Sequence, residues 1–160
     1  MVSQKHPEIY LLLHNIRSTH NVGAIFRTAD AVGVKKIYIS GYTPAPIDRF
    51  GRARSDISKA SLGAEKTVEW ESVEDVKDLI KKLKKEKVKI IALEQDKNSI
   101  DYKDIKKFHK ILVIAGNEVG GIEQEILNLC DDIVEIPMYG SKESLNVSVA
   151  TGVLLYSLLK

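Results

Sequence analysis

The segment Ile111–Leu127 reads ILVIAGNEVGGIEQEIL. Its first five residues, Ile111 to Ala115, are an unbroken apolar run, the pattern of a strand covered on both faces. Gly116, Gly120 and Gly121 then supply the backbone freedom of a tight strand-to-helix turn, and Ile122–Leu129 continues with helical spacing. A doubly covered strand that feeds straight into a helix is a unit of a parallel sheet. The turn is not the dinucleotide fingerprint G-x-G-x-x-G, and no Gly-Lys-Ser/Thr follows to make it a P-loop. A turn requires glycines but not Glu118, which makes that carboxylate a candidate for chemistry.

The same alternation continues in both directions. Glu8–His14, Lys36–Ser40, Lys66–Trp70, Val88–Leu93 and Asp132–Pro137 are short and rich in Ile, Val and Tyr, and with Lys110–Ala115 they read as strands. Asn21–Val32 places Val22, Ile25, Phe26, Ala29 and Val32 on one helical face, with Asn21 as a possible N-cap. Val73–Glu86 does the same with Val73, Val76, Leu79, Ile80 and Leu83 behind Ser72 as cap and Asp75. The seven lysines between Lys77 and Lys89 form its solvated side. The expected fold is α/β, a mostly parallel sheet covered by helices on both faces, in one domain over residues 1–160. Ligands of such sheets bind beyond the carboxyl ends of the strands.

Composition narrows the function. A chain of 160 residues with 44% hydrophobic and 29% charged side chains buries about two-thirds of its surface and is neither disordered nor a membrane span. Met1–Pro7 precedes too short an apolar run for a signal peptide, so a cytoplasmic protein without membrane contact is expected. Cys130 stands alone, and His6, His14, His20 and His109 show no ligand spacing, so no disulfide and no metal are expected. Without a G-x-S-x-G elbow, hydrolase readings fall away with the metalloenzyme ones.

Charge is unevenly distributed. Residues 1–60 carry +5 and residues 61–160 carry −3, for a net of +2. All five arginines, Arg17, Arg27, Arg49, Arg52 and Arg54, lie in the basic part. Arginine's planar fork suits phosphate, and Gly41–Ser55 is a long loop that interleaves three arginines with Tyr42 and Phe50, a composition that fits single-stranded or looped RNA. A mobile surface loop is the plainer reading of the same residues. Arg27 projects from the helix opposite its apolar stripe, among Gly23, Ala24 and Ala31, which admit a close neighbour or simply face solvent. After the strand at Ile133, Ser144 or Asn146 caps a helix from Val147 to Leu159 that is apolar nearly all round. Such a helix is buried on two sides, one against the sheet and the other against a second copy of the chain.

Taken in order, HNVGAIFRTADAVG (20–33), IAGNEVGGI (114–122) and IPMYGSKESLNVSVATGVLL (136–155) resemble the three motifs of the SpoU/TrmH family of RNA 2'-O-ribose methyltransferases, in the SPOUT superfamily. Lys59–Trp70 is similar to the link between that family's two halves. The resemblance covers the whole chain and implies an S-adenosylmethionine-dependent enzyme, a homodimer, and a carboxy-terminal trefoil knot that general topology rules disfavour. It implies catalytic positions at Asn21, Arg27, Glu118, Ser144 and Asn146, and cofactor loops at Leu93, Gly116, Ile136, Ser144 and Leu145. With no added RNA-binding domain expected, Arg17, Arg49, Arg52 and Arg54 are the candidate RNA contacts, and tRNA is favoured as substrate over rRNA. His20-Asn21-Val22-Gly23 departs from the P-N-T/I-G form of members acting at the tRNA wobble position. The competing class is a non-catalytic RNA- or nucleotide-binding module of the same fold.

Overall fold

The structure, a computed structural model, describes residues 6–159. Most of the amino-terminal stretch read above, Met1–Lys5, lies outside them. Seven strands form one sheet: β1 Glu8–His14, β2 Lys36–Ser40, β3 Trp70–Val73, β4 Lys89–Leu93, β5 Ile100–Asp101, β6 Lys110–Ala115 and β7 Asp132–Glu135. Their order is β3-β2-β1-β6-β4-β7-β5, and every pairing is parallel. The helices are α1 Thr19–Val32, α2 Ser55–Ser61, α3 Val76–Lys85, α4 Gln124–Leu127 and α5 Val147–Ser157. None is long and apolar enough to cross a membrane.

The central strands are apolar on both sides because both sides are covered. Along β1, Leu11 and Leu13 join one core with Phe26 of α1, Ile57 of α2 and Leu154 of α5. Leu12 points the other way, into a core with Ile80 and Leu83 of α3 and Ile126 of α4. Part of the lysine-rich surface is paired: Lys77 meets Glu125 at 2.6 Å and Lys89 meets Asp132 at 2.9 Å.

Five local expectations are corrected. The strand expected at Lys66–Trp70 begins only at Trp70, because the amides of Thr67 and Val68 are already bonded to the carbonyl of Ala64 in a 3-10 turn. The helix expected from Val73 begins at Val76, capped by the Asp75 carboxylate, because Ser72 pairs with Ile39 in the sheet. The helix expected at Ile122–Leu129 is only Gln124–Leu127, since the Ile122 amide donates to Glu94 instead. The last strand stops at Glu135, two residues short of the expected Pro137. Finally, Ser18 and not Asn21 caps α1, its hydroxyl accepting the Asn21 amide at 3.2 Å, so the Asn21 side chain is free for another partner.

Gly23 of α1 is required by close packing. A Cβ there would stand 2.6 Å from the carbonyl oxygen of Ile57 and 2.6 Å from the Ala60 side chain, both on α2. Gly23→Ala must therefore push α2 away, and a loss of about 1–3 kcal/mol in urea unfolding is expected. An unchanged midpoint would show that α2 moves freely.

Candidate active site

The site forms where the carboxyl ends of the central strands meet. After β1, Asn15 adopts a left-handed φ of 56°, and the chain turns through Arg17 and Ser18 into α1. After β6, the turn Gly116–Gly121 closes on itself, the Gly121 amide donating to the Asn117 carbonyl at 3.1 Å. Gly121 has a φ of 68° and faces the Glu94 carboxylate, which accepts the Ile122 amide at 2.9 Å. A side chain at 121 would be strained and would meet that carboxylate. After β7, the loop 136–145 leads to Asn146, whose Oδ1 accepts the Ser148 amide at 2.9 Å and caps α5.

Three segments far apart in sequence are thereby tied together. Glu118 accepts from the amides of Arg17 at 3.3 Å and Ser18 at 3.4 Å and from Asn21 Nδ2 at 3.2 Å. Asn21 Oδ1 in turn accepts from Asn146 Nδ2 at 3.2 Å. Burial opposes the charge on Glu118, but its own backbone amide, Asn21 and the amides of Arg17 and Ser18 outweigh it and hold the carboxyl below its ordinary value of 4.5. Because the folded-state value is the lower one, ionised Glu118 stabilises the fold above pH 4.5, and that contribution fades as acid protonates it. Glu118→Gln is expected to flatten the fall of the unfolding midpoint below that pH. An identical acid profile in the variant would show that the carboxylate is not tied in this way.

Beside Glu118 lies a cavity of about 320 Å³. Leu93, Gly116, Ile136, Ser144 and Leu145, named from the sequence as cofactor-loop positions, all line it, together with Glu118, Asn146 and Ala150. Gly116 is packed against Ile122 and the Gly121 backbone, so the cavity floor has no room for a side chain at 116. The cavity lining mixes apolar side chains, among them Leu93, Ile136, Leu145 and Val147, with polar ones that include Glu94, Gln95, Glu135 and Ser144, a surface that suits a ligand with both apolar and polar parts.

The family model described as "SpoU rRNA Methylase family" matches residues 8–156. The chain belongs to the SpoU family. It is 32% identical over 156 residues to the tRNA (guanosine(18)-2'-O)-methyltransferase of Escherichia coli K12, covering 98% of this chain and 65% of that protein. It is 34% identical over 158 residues to the 23S rRNA (guanosine-2'-O-)-methyltransferase of Ralstonia nicotianae, covering 96% of this chain and 59% of that one. The chain thus spans about two-thirds or less of the length of these relatives. Among solved structures, an AdoMet-bound rRNA methyltransferase from Sinorhizobium meliloti superposes with a TM-score of 0.86 at 28% identity, over 96% of this chain and 56% of that one.

In this SpoU-family chain Arg17 donates its amide to Glu118, whereas Arg27, Arg49, Arg52 and Arg54 make no hydrogen bond to Glu118, Asn21 or Asn146 among the described residues. Arg27 is exposed on α1 and makes no ion pair or side-chain hydrogen bond to another described residue. Arg49 and Arg52 flank the exposed ring of Phe50, at 4.8 and 5.0 Å from its centroid, on a small hairpin closed by the Ile47 and Ala53 bridge. Asp48 fixes this tip by accepting the amides of Phe50 and Arg52 and the Arg52 Nε. Arg54 is different: it is half-buried at the start of α2, and its Nε is shielded without a partner. The loop Gly41–Ser55 is therefore ordered at its tip and leads into a helix.

Asn117 was visible in the sequence only as part of a glycine turn, yet it makes four hydrogen bonds. Its Oδ1 accepts the amides of Val119 at 2.9 Å and Gly120 at 2.6 Å, a local asparagine turn. Its Nδ2 donates to the Asn15 carbonyl at 2.9 Å and the Tyr42 hydroxyl at 2.6 Å, which no local signal foretells. His14, a histidine without ligand spacing in the sequence, has a structural place. It is buried between Ser40 Oγ, 2.8 Å from Nδ1, and the Glu123 carboxylate, 2.8 Å from Nε2, joining β1 to β2 and to the residue before α4.

Proposed function

We propose that the protein is an S-adenosylmethionine-dependent RNA methyltransferase that acts on a ribose 2'-hydroxyl, with tRNA as the favoured substrate. The observation that carries this reading is the hydrogen-bonded chain Glu118–Asn21–Asn146 at the mouth of a cavity lined by all five residues of the expected cofactor loops. The relatives named for tRNA and rRNA 2'-O-methylation support the reaction class. The residues fit the methyl donor: Leu93, Ile136, Leu145 and Ala150 offer apolar contact, and Gln95, Ser144 and Asn146 offer polar groups. When bound, S-adenosylmethionine supplies a methyl group already activated on a sulfonium.

The protein is left with positioning and charge. Glu118 holds the turn into α1 and the Asn21 amide, and Asn146 joins that pair to α5, so the mouth keeps its shape. Ser144, exposed at the cavity rim, is placed to hold the methyl donor or the ribose. Guanidinium keeps its proton at any working pH, so Arg27 serves as a cation that stabilises the alkoxide forming on the 2'-oxygen. The hydroxyl proton leaves to solvent or an RNA phosphate.

The functional unit is a homodimer. Support comes from α5, where Val149 and Tyr156 are exposed one face apart from its buried Leu154 and Leu155, and from Thr28, next to Arg27, which lies against Gly152 of α5. Arg27 then borders the surface at which two chains meet. Light scattering that finds a monomer at micromolar concentration overturns the dimer. The carboxy-terminal trefoil knot belongs to the same reading. Arg17 and the hairpin of Arg49 and Arg52 are the RNA contacts, with Arg54 behind them.

The deciding experiment is transfer of labelled methyl to bulk tRNA and rRNA, followed by nuclease mapping of the product. Incorporation into neither RNA, with the methyl donor still bound in calorimetry, favours a binding module over an enzyme.

A further inference from the structure

A second concavity lies on the other side of Glu118. It is an open groove lined by Arg17, Tyr42 and Val119, and it shares Asn117 and Glu118 with the cofactor cavity. We propose that this groove seats the base of the nucleotide to be methylated, with the Tyr42 ring as its stacking platform. The proposal rests on the RNA methyltransferase reading and adds to it the place and chemistry of the target base.

Tyr42 leaves 53% of its surface exposed, yet it is fixed at both ends. Its backbone amide donates to Asn15 Oδ1 at 3.2 Å, and its hydroxyl accepts from Asn117 Nδ2 at 2.6 Å. The Arg17 guanidinium stands 5.7 Å from the ring centroid. Val119 is 98% exposed, and its amide is held by the same Asn117 side chain. The core gains little from a ring and an isopropyl group displayed to water, and yet hydrogen bonds hold both in place. An exposed ring that is already immobilised loses little entropy when a second planar group stacks on it.

A nucleobase is the planar group this arrangement fits. Every base offers a π-face to an aromatic ring, and a guanidinium adds a cation that interacts with both the ring and a neighbouring phosphate. A ribose presented beside Glu118 at the mouth of the cofactor cavity has this groove as its neighbouring concavity. A base paired within a helix cannot enter such a groove, so the target is a nucleotide unstacked in a loop or splayed out on binding. Asn117 carries the groove and the cofactor cavity on one side chain, which keeps the base and the methyl-donor site in register.

The test uses Tyr42→Ala, Tyr42→Phe and Tyr42→Trp in the whole protein, with methyl transfer to bulk tRNA and rRNA from cells that lack it. For Tyr42→Ala, kcat/KM for RNA falls roughly ten- to a hundredfold, mainly through KM, while calorimetry shows an unchanged Kd for S-adenosylmethionine. Tyr42→Phe keeps the ring and restores most of the loss. In Tyr42→Trp the added fluorescence, read over the constant Trp70 signal, is quenched by short single-stranded RNA. An unchanged KM in Tyr42→Ala overturns the proposal. So does Tyr42→Phe as impaired as Tyr42→Ala, which would assign the effect to the Asn117 tie. Wild-type protein that methylates neither RNA overturns the enzyme reading itself. In that case quenching in Tyr42→Trp still supports a base in the groove, and its absence overturns it.

Discussion

Arg27→Ala is expected to lower kcat for methyl transfer by about a hundred- to a thousandfold and to leave the Kd for S-adenosylmethionine within about twofold. The side chain is exposed and lies outside the cofactor cavity, so its removal leaves no hole in the core and no stranded partner among the described residues. On the proposed reading, what is removed is the positive charge that stabilises the forming alkoxide. Arg27→Lys retains the charge but not the planar fork, and an intermediate rate is expected. Full turnover with lysine would rule out a bidentate role. A weakened Kd in Arg27→Ala would move the arginine to the cofactor and overturn the assignment.

Asn117→Ala is expected to fail in the opposite way, weakening methyl-donor binding and RNA affinity together. Four hydrogen bonds are lost at once, and each contributes about 1 kcal/mol net. The turn Gly116–Gly121 loses the bonds that hold Val119 and Gly120, and it lines the cofactor cavity on one side and the groove on the other. About a hundredfold rise in Kd for S-adenosylmethionine is expected, with a lower melting temperature. Asn117→Asp separates the two halves of the role. It keeps the acceptor for Val119 and Gly120 but loses both donors, so cofactor binding survives better than RNA affinity. Equal loss of both in Asn117→Asp would show that the donors shape the cofactor loop as well.

The boundaries of β1, β2 and β6 were legible because each is a short run of Ile, Leu, Val and Tyr bounded by polar residues or glycine, as a strand covered on both faces requires. The segment around β3 was not legible in the same way. KTVEW alternates like a strand, but the left-handed Leu62 and Gly63 before it start a turn that consumes its first amides. α2 has Ile57 as its single large buried side chain, and β5 has two residues, so neither carries a periodic signal. At the site, the convergence of Asn21, Glu118 and Asn146 followed from the order of three motifs. The ties of Asn117 to Tyr42 and of Glu94 to Ile122 did not, because they depend on how the sheet brings together the ends of strands that are far apart in sequence. Arg54, grouped with its neighbours by composition, is half-buried at the start of α2, which composition alone does not reveal.

The strand order also bears on how the chain comes to be folded. β1 lies between β2 and β6, and its pairing with β6 joins Glu8 to Lys110 across most of the sequence. The middle of the sheet therefore cannot close as the chain leaves the ribosome until residue 115 has emerged, and such high contact order makes for slow folding. The bond from Asn146 to Asn21 spans 125 residues and is made later still. The tie that joins α1 to the start of α5 is thus among the last features of the fold to form.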